Sequence, residues 1–444
     1  MLYVLPLPPR PNLESYKKRA KELAKICKAG DRVALRAWVA EWIEALVKLQ
    51  EADDGQPRLG HRALTPAEIE RLIGRTADGI AKNLDWARGQ ADCSLSRAQL
   101  ALAREHGFVS WPKFATHLEE LARARSPVRA FESAVDAIVG GDLAGLATLL
   151  KKKPALVRER STREHRSTLL HYVSANGVED YRQKTPANIV QITKLLLDAG
   201  ADVNAESDAY GGRSTTLGLT ATSYHPEAAG VQLELLQVLI NAGATIDPPD
   251  GGSAVNGCLR NGRGNAAEFL AARGAKLDLE GAAGIGRIDA VKQFFAADGS
   301  LKPPATAAQL YAGLAWACEF GRTEVVEFLL QTGMPLDPSL MRGKQTGLHW
   351  AAYYGHADII QLLLDRGAPV DVIDDHHRGA PLEWALYGWD GSAQNAEGFY
   401  RVVGLLARAG AKLDAKWYES GPERQRVVAK IQADPRMQAA LRGE

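Results

Sequence analysis

The chain has 444 residues, with 54 Lys plus Arg against 53 Asp plus Glu and a formal charge of +1. That length exceeds one ordinary compact core, so several domains or an elongated repeat array are implied. The balanced charge supplies no field for phosphate backbones or anionic bilayers, which argues against nucleic acid and membrane partners.

The opening MLYVLPLPPRPN has no charged lead and no sustained apolar run, so a signal peptide is not expected, and no stretch reaches the length of a membrane span. From Leu13, LESYKKRAKELAKICKAGD places Leu13, Tyr16, Ala20, Leu23, Ala24 and Cys27 at helical spacing, with Gly30 as the stop. A second helix is predicted over about residues 33–49. A third opens at TPAEIERLI, where Thr65 can cap, Pro66 suits the first helical position and Glu68 completes a capping box. From Ser96 two further helices follow, broken at Gly107, with Phe108, Trp111 and Phe114 anchoring a small helical core. Ser126-Pro127 punctuates the chain, and the boundary of an N-terminal helical module, residues 1–126, is placed there. Cys27, Cys93, Cys258 and Cys318 lack CxxC or zinc-ligand spacing, so neither a disulfide framework nor a zinc site is expected, and a reducing, cytoplasmic setting is inferred.

Beyond residue 127 the sequence repeats. GLAWACEFGRTEVVEFLLQTG from Gly313 aligns without a gap on GLHWAAYYGHADIIQLLLDRG from Gly347, and PLEWALYGWDG keeps the register, so that Trp316, Trp350 and Trp384 recur every 34 positions. Leucine runs ending in Gly-Ala recur too, as in LLLDAGADVN, VLINAGATID, FLAARGAKLD, LLLDRGAPVD and LLARAGAKLD, the pattern of a left-handed helix cap leading into a turn. Each unit therefore reads as helix, tight turn, helix, cap and loop. Such a pair cannot bury its apolar face alone, so neighbours must stack and the ends must be capped.

These units resemble the ankyrin-repeat family, whose repeat is about 33 residues with a T-P-L-H-x-A signature. In QTGLHWAAYYGHADIIQLLLDRGA the family positions are filled by Thr346, Leu348, His349, Ala351, Ala352, Gly355, His356, Leu363, Leu364, Gly367 and Ala368. The resemblance implies an all-α ankyrin-repeat solenoid of stacked helix pairs with hairpin loops over residues 127–419, about seven or eight units, and a C-terminal capping helix within 420–444. One unit lies near 128–160, and others open near 165, 211, 253, 279, 311, 344 and 378. The position of the signature histidine holds His171 and His349, but Gly218, Asn256, Glu280, Ala315 and Glu383 elsewhere. The units near 253 and 279 are short and lack a recognisable hairpin between them. The leader PNLESYKKRAKELAKICKAGD is similar to segments ahead of bacterial arrays of this kind.

No GxSxG elbow, P-loop, GxGxxG before a helix or HExxH occurs, so no catalytic residue is assigned and no cofactor or metal is expected. Three units carry insertions at the turn between their helices, at 178–188, 223–231 and 389–398. Insertions at one place in a repeat array fall on one edge, often the binding side, although a surface loop tolerates lengthening at little cost. The insertions and adjoining first helices supply the candidate binding residues Tyr172, Tyr181, Lys184, Tyr224, His225, Glu319, Trp350, Tyr353, Tyr387, Trp389 and Asp390. Aromatic side chains with polar tips make good contacts for a peptide or a small molecule. The resemblance puts the residues before each repeat glycine, such as Glu319 and Tyr353, on the concave face. The tryptophans face the neighbouring unit, where stacking is expected, and His171 and His349 are expected to brace loop backbone. Asp374, Asp375, His376 and His377 read as a loop tip of rim contacts, because neighbours on an extended tip point to opposite sides and cannot share one ion.

Two functions fit. The first is a non-catalytic, monomeric module that binds a protein partner on the concave face. The alternative is an enzyme or small-molecule pocket in which the three insertions close over that face. Its cavity would be lined by Tyr172, Tyr181, His225, Trp350 and Trp389, with His225, Tyr181 or Tyr224, Glu319 and Asp390 available for acid–base work.

Overall fold

The computed structural model describes residues 4–49, 58–59, 62–86, 91–248, 252–392, 395–413 and 421–444. Among the described residues the fold is all-α apart from two single bridges and two antiparallel ladders of two residues per strand, Arg58–Leu59 with Arg62–Ala63 and Glu206–Ser207 with Ser214–Thr215. None of the described helices is long and apolar enough to cross a membrane. The chain divides into two compact units, 1–251 and 252–444. That division falls inside the stretch the sequence reads as one array, beside the short unit near 253.

In the first unit, helices Leu13–Ala29, Arg32–Leu49, Pro66–Asn83, Leu95–Glu105 and Trp111–Ala122 enclose a core containing Leu23, Trp42, Ile43, Phe108 and Phe114. Helical spacing of apolar residues produces this core, and caps delimit it. Thr65 N–H donates to Glu68 Oε2 at 2.9 Å and Glu68 N–H donates to Thr65 Oγ1 at 3.3 Å, completing the capping box. Gly107, at φ +79°, separates the fourth and fifth helices in a backbone region that glycine occupies without strain. His106 is buried among these aromatics, stacked on Phe114 at 5.2 Å. Burial pushes its pKa down to about 3, so it is a neutral core residue, hydrogen-bonded to the Leu5 carbonyl at 2.9 Å. Cys27 and Cys93 form a disulfide, with Cα atoms 5.4 Å apart. This corrects the expectation that no disulfide forms and removes the cysteine argument for a reducing compartment. Cys258 and Cys318 are buried thiols outside this disulfide.

Helix pairs follow. Helix Pro127–Gly140, the 3₁₀ helix Leu169–Ser174 and helix Thr216–Thr222 pack in one row, while Leu143–Lys152, Ile189–Asp198 and Gln232–Asn241 pack in another. In the second unit the first-helix row is Ala254–Arg260, Leu279–Gly284, Ala307–Glu319, Gly347–Tyr353 and Pro381–Gly391. Ile288–Gln293, Thr323–Gln331, Ala357–Asp365 and Ala396–Arg408 form the second row. Pro422–Gln432 and Pro435–Leu441 close the C-terminal side, burying Val427, Ile431 and Met437 in the same core as Leu382, Phe399 and Val403.

The two signature histidines hold this layering in register. Thr346 N–H donates to His349 Nδ1 at 3.0 Å, which leaves Nε2–H to donate to the Gly379 carbonyl at 3.2 Å. His171 repeats the arrangement, with Thr168 N–H at 3.1 Å and the Ser214 carbonyl at 3.2 Å. Burial keeps both imidazoles below their ordinary pKa, so each is a fixed neutral brace between one unit and the next loop.

Candidate binding surfaces

The second unit carries a groove of ≈ 890 Å³. Its floor comes from the first helices, through Glu280, Tyr311, Trp316, Glu319 and Trp350, and its wall from the loops that follow, through Leu340, Met341, Arg342, His376 and His377. The tryptophan ladder divides here. Trp384 is buried, with Nε1–H donating to Asp374 Oδ2 at 3.2 Å and its ring 5.2 Å from that of Trp350. Trp316 and Trp350 stay half-buried and face the groove. Tyr353 is the last residue of helix Gly347–Tyr353 and Tyr354 its C-cap, each 40% exposed.

Glu319 is the unusual member. It closes helix Ala307–Glu319 and is only 8% exposed. Tyr354 Oη–H donates to its Oε1 at 3.3 Å, and His356 Nε2–H donates to its main-chain carbonyl at 3.0 Å. Burial raises the carboxyl to about 7, against the smaller downward pull of the tyrosine bond. The same burial, with Glu319 as neighbour, holds the Tyr354 phenol above its usual range.

A second cleft, also ≈ 890 Å³, lies within the first unit. Helix Pro66–Asn83 contributes Glu68, Arg71 and Arg75, the first insertion contributes Asp180, Tyr181, Gln183 and Lys184, and the second contributes His225 and Ala228. Two of the three insertions therefore line one cleft together with an N-terminal helix. The Val4 N–H donates to Asp180 Oδ1 at 3.1 Å, tying the start of the described chain to the first of them. Tyr224 lies 62% exposed beside His225.

Several candidate residues have other work. Tyr172 is fully buried and donates to Glu179 Oε1 at 3.3 Å, so it belongs to the interior of the first unit and cannot be a surface contact. Trp389 is buried in the core of the second unit under the Lys430 ammonium, which lies 4.2 Å from the ring centroid. Asp390 receives Arg426 Nε at 2.9 Å and Nη2 at 2.6 Å, and Tyr387 Oη accepts from Arg424 Nε at 3.2 Å. The mouth of the third insertion thus docks the C-terminal helices. A cavity needing both Tyr172 and Trp389 on its wall is excluded, because each ring fills the core of its own unit. Asp374 is likewise no rim contact: it is fully buried and accepts from His376, His377 and Gly379 N–H groups at 2.9, 2.7 and 3.0 Å. Burial raises its pKa, but these bonds outweigh it and hold the carboxylate below its ordinary value.

Sequence reasoning missed a buried charge network in the first unit. Arg163 donates through Nη1 to Glu132 Oε1 at 2.6 Å and pairs through Nε with Glu179 Oε1 at 2.9 Å. Arg182 donates to Glu132 Oε2 at 2.7 Å and to Asp136 Oδ1 at 2.8 Å. The Arg163 guanidinium also lies 5.7 Å from the Phe108 ring centroid, and the adjacent Glu164 N–H donates to the Gly107 carbonyl at 2.9 Å. The network therefore joins the N-terminal helices to the first two repeats. Its members come from helix Pro127–Gly140, the loop around residue 163 and the first insertion, segments distant in sequence, which is why no local motif marks them.

Residues 279–374 match the family model for ankyrin repeats, in three copies. The chain is also similar to the solved ankyrin repeat domain of human ASB11, at 21% identity, covering 63% of this chain and 99% of that one, with a TM-score of 0.33. No curated protein matches it significantly.

Proposed function

We propose that this protein, an ankyrin-repeat protein by the match of residues 279–374 and by its stacked helix pairs, is a binding module that takes a protein partner along the groove of its second unit. Ankyrin repeats generally mediate association between proteins. On this reading the groove is the concave face that the family resemblance implies.

One observation carries the reading. Large apolar side chains elsewhere in this unit's helix rows are mostly buried, whereas Trp316 and Trp350 are half-buried in the groove and Leu340 is 49% exposed on its wall. A row of partly wet aromatics on rigid helices is the composition of an interface centre, where a few Trp and Tyr residues carry most of the affinity. Binding is reached through positions that the helix pairs hold in place, so the groove is preorganised.

The test is affinity capture on the full chain. A protein retained by the wild type is expected to be lost from Trp350→Ala and kept by Tyr224→Ala, which alters an exposed residue of the first unit. A partner kept by Trp350→Ala, or native mass spectrometry showing a retained small molecule and no protein, would overturn the proposal.

A further inference from the structure

We infer that the groove contains a subsite for a basic side chain of the partner, an arginine guanidinium or a lysine ammonium, seated against Glu319. This rests on the groove being the binding surface and names the chemistry it selects.

Glu319 is placed where a carboxylate is hard to account for by folding alone. It sits at the last residue of its helix, where the unpaired carbonyls already carry partial negative charge and an acid is unfavourable. It is 92% withdrawn from water by its 8% exposure, yet among the described residues it forms no ion pair. The basic side chains of the groove do not pair with it. Arg322 donates to the Gly284 carbonyl at 3.1 Å and pairs with Glu268, while Arg260 and Arg342 line the same groove without forming an ion pair to Glu319. Only the neutral Tyr354 hydroxyl reaches the Glu319 side chain, at Oε1, so Oε2 is left for a ligand in the groove that Glu319 lines.

An apolar ligand would complete the desolvation of this carboxylate and supply nothing in return. A cation supplies the missing charge and a donor for Oε2. Trp316, one helical turn before Glu319, and Trp350, on the next first helix, add ring faces that attract a guanidinium or ammonium. Charge, donor geometry and aromatic faces thus converge on one kind of side chain.

The experiment uses the full chain and acetylated, amidated pentapeptides Gly-Gly-X-Gly-Gly, with X as Arg, Lys, norleucine or Glu. Binding is followed at the indole N–H resonances of Trp316 and Trp350, with melting temperature as the folding control. The Arg and Lys peptides are expected to shift both resonances and to bind about tenfold more tightly than the norleucine peptide. Glu319→Gln should remove that preference, because the amide still accepts from Tyr354 but no longer carries charge. Tyr354→Phe should retain it. Equal binding of norleucine and Arg peptides, or an unchanged preference in folded Glu319→Gln, overturns the subsite while leaving the groove as a protein-binding surface. If no peptide moves either indole, both readings fall.

Discussion

Replacing Glu132 by Gln tests whether the charge network of the first unit is dry and structural. The Glu132 side chain is 10% exposed and holds two guanidinium groups, Arg163 at 2.6 Å and Arg182 at 2.7 Å. Without its charge, Arg163 keeps only Glu179 at 2.9 Å, and Arg182 keeps Glu179 at 3.7 Å and Asp136 at 2.8 Å. Two buried cations would then share one buried carboxylate. Breaking a buried pair from one side costs about 3–5 kcal/mol, so Glu132→Gln is expected to lose that much. Asp136 is 57% exposed and screened by water, and Asp136→Asn should cost less than about 1 kcal/mol. Urea titration read by hydrogen exchange in helices Pro127–Gly140 and Ile189–Asp198 measures both. The pH dependence has a definite sign. Burial tends to raise the Glu132 carboxyl, but Arg163 and Arg182 outweigh it and hold it at about 2, below the ordinary 4.5. Its contribution is therefore complete above 4.5 and lost as pH falls toward 2, so the gap between wild type and Glu132→Gln should close over that window. Equal losses in the glutamate and aspartate variants, or a gap that does not close in acid, would refute a dry network.

The disulfide and the tightest helix contact give two further tests. The Cys27–Cys93 bond closes a loop of 66 positions, and the chain-entropy relation puts its removal at about 4 kcal/mol. Reduction should lower the melting temperature of the N-terminal helices, and non-reducing peptide mapping should recover the linked pair; four free thiols in protein prepared without reductant would refute the assignment. At Gly388 an added Cβ would collide with the Tyr353 carbonyl, whereas at Gly391 it meets nothing within 4 Å. Gly388→Ala should cost about 1–3 kcal/mol in thermal unfolding and Gly391→Ala should cost less, because only the first forces two helices apart.

How far the sequence was legible follows from the range of each signal. Local signals translate directly. The Thr65 box, the stop at Gly30 and the 34-residue recurrence of tryptophan each specify neighbours along the chain, and the structure shows a capping box, a left-handed cap and stacked first helices there. The histidine braces were legible for the same reason, since Nδ1 bonds three residues back and only Nε2 reaches the next loop. What was not legible depends on distant partners. Cys27 and Cys93 lie 66 positions apart without a spacing motif. Tyr172, Trp389 and Asp390 read as surface contacts because a polar-tipped aromatic and a carboxylate carry no mark of the distant partners that engage them, Glu179, Lys430 and Arg426. Glu319 was named from its place before the repeat glycine, but that it forms no ion pair among the described residues emerged only in three dimensions.

Hydrogen exchange of the full chain with a captured partner is the most direct measurement of where binding occurs. Protection is expected over helix Ala307–Glu319, the loop at 338–346, helix Gly347–Tyr353 and the loop at 374–377, the segments that build the groove. Protection confined instead to the cleft of the first unit, at residues 68–75, 180–185 and 225–229, would contradict the account.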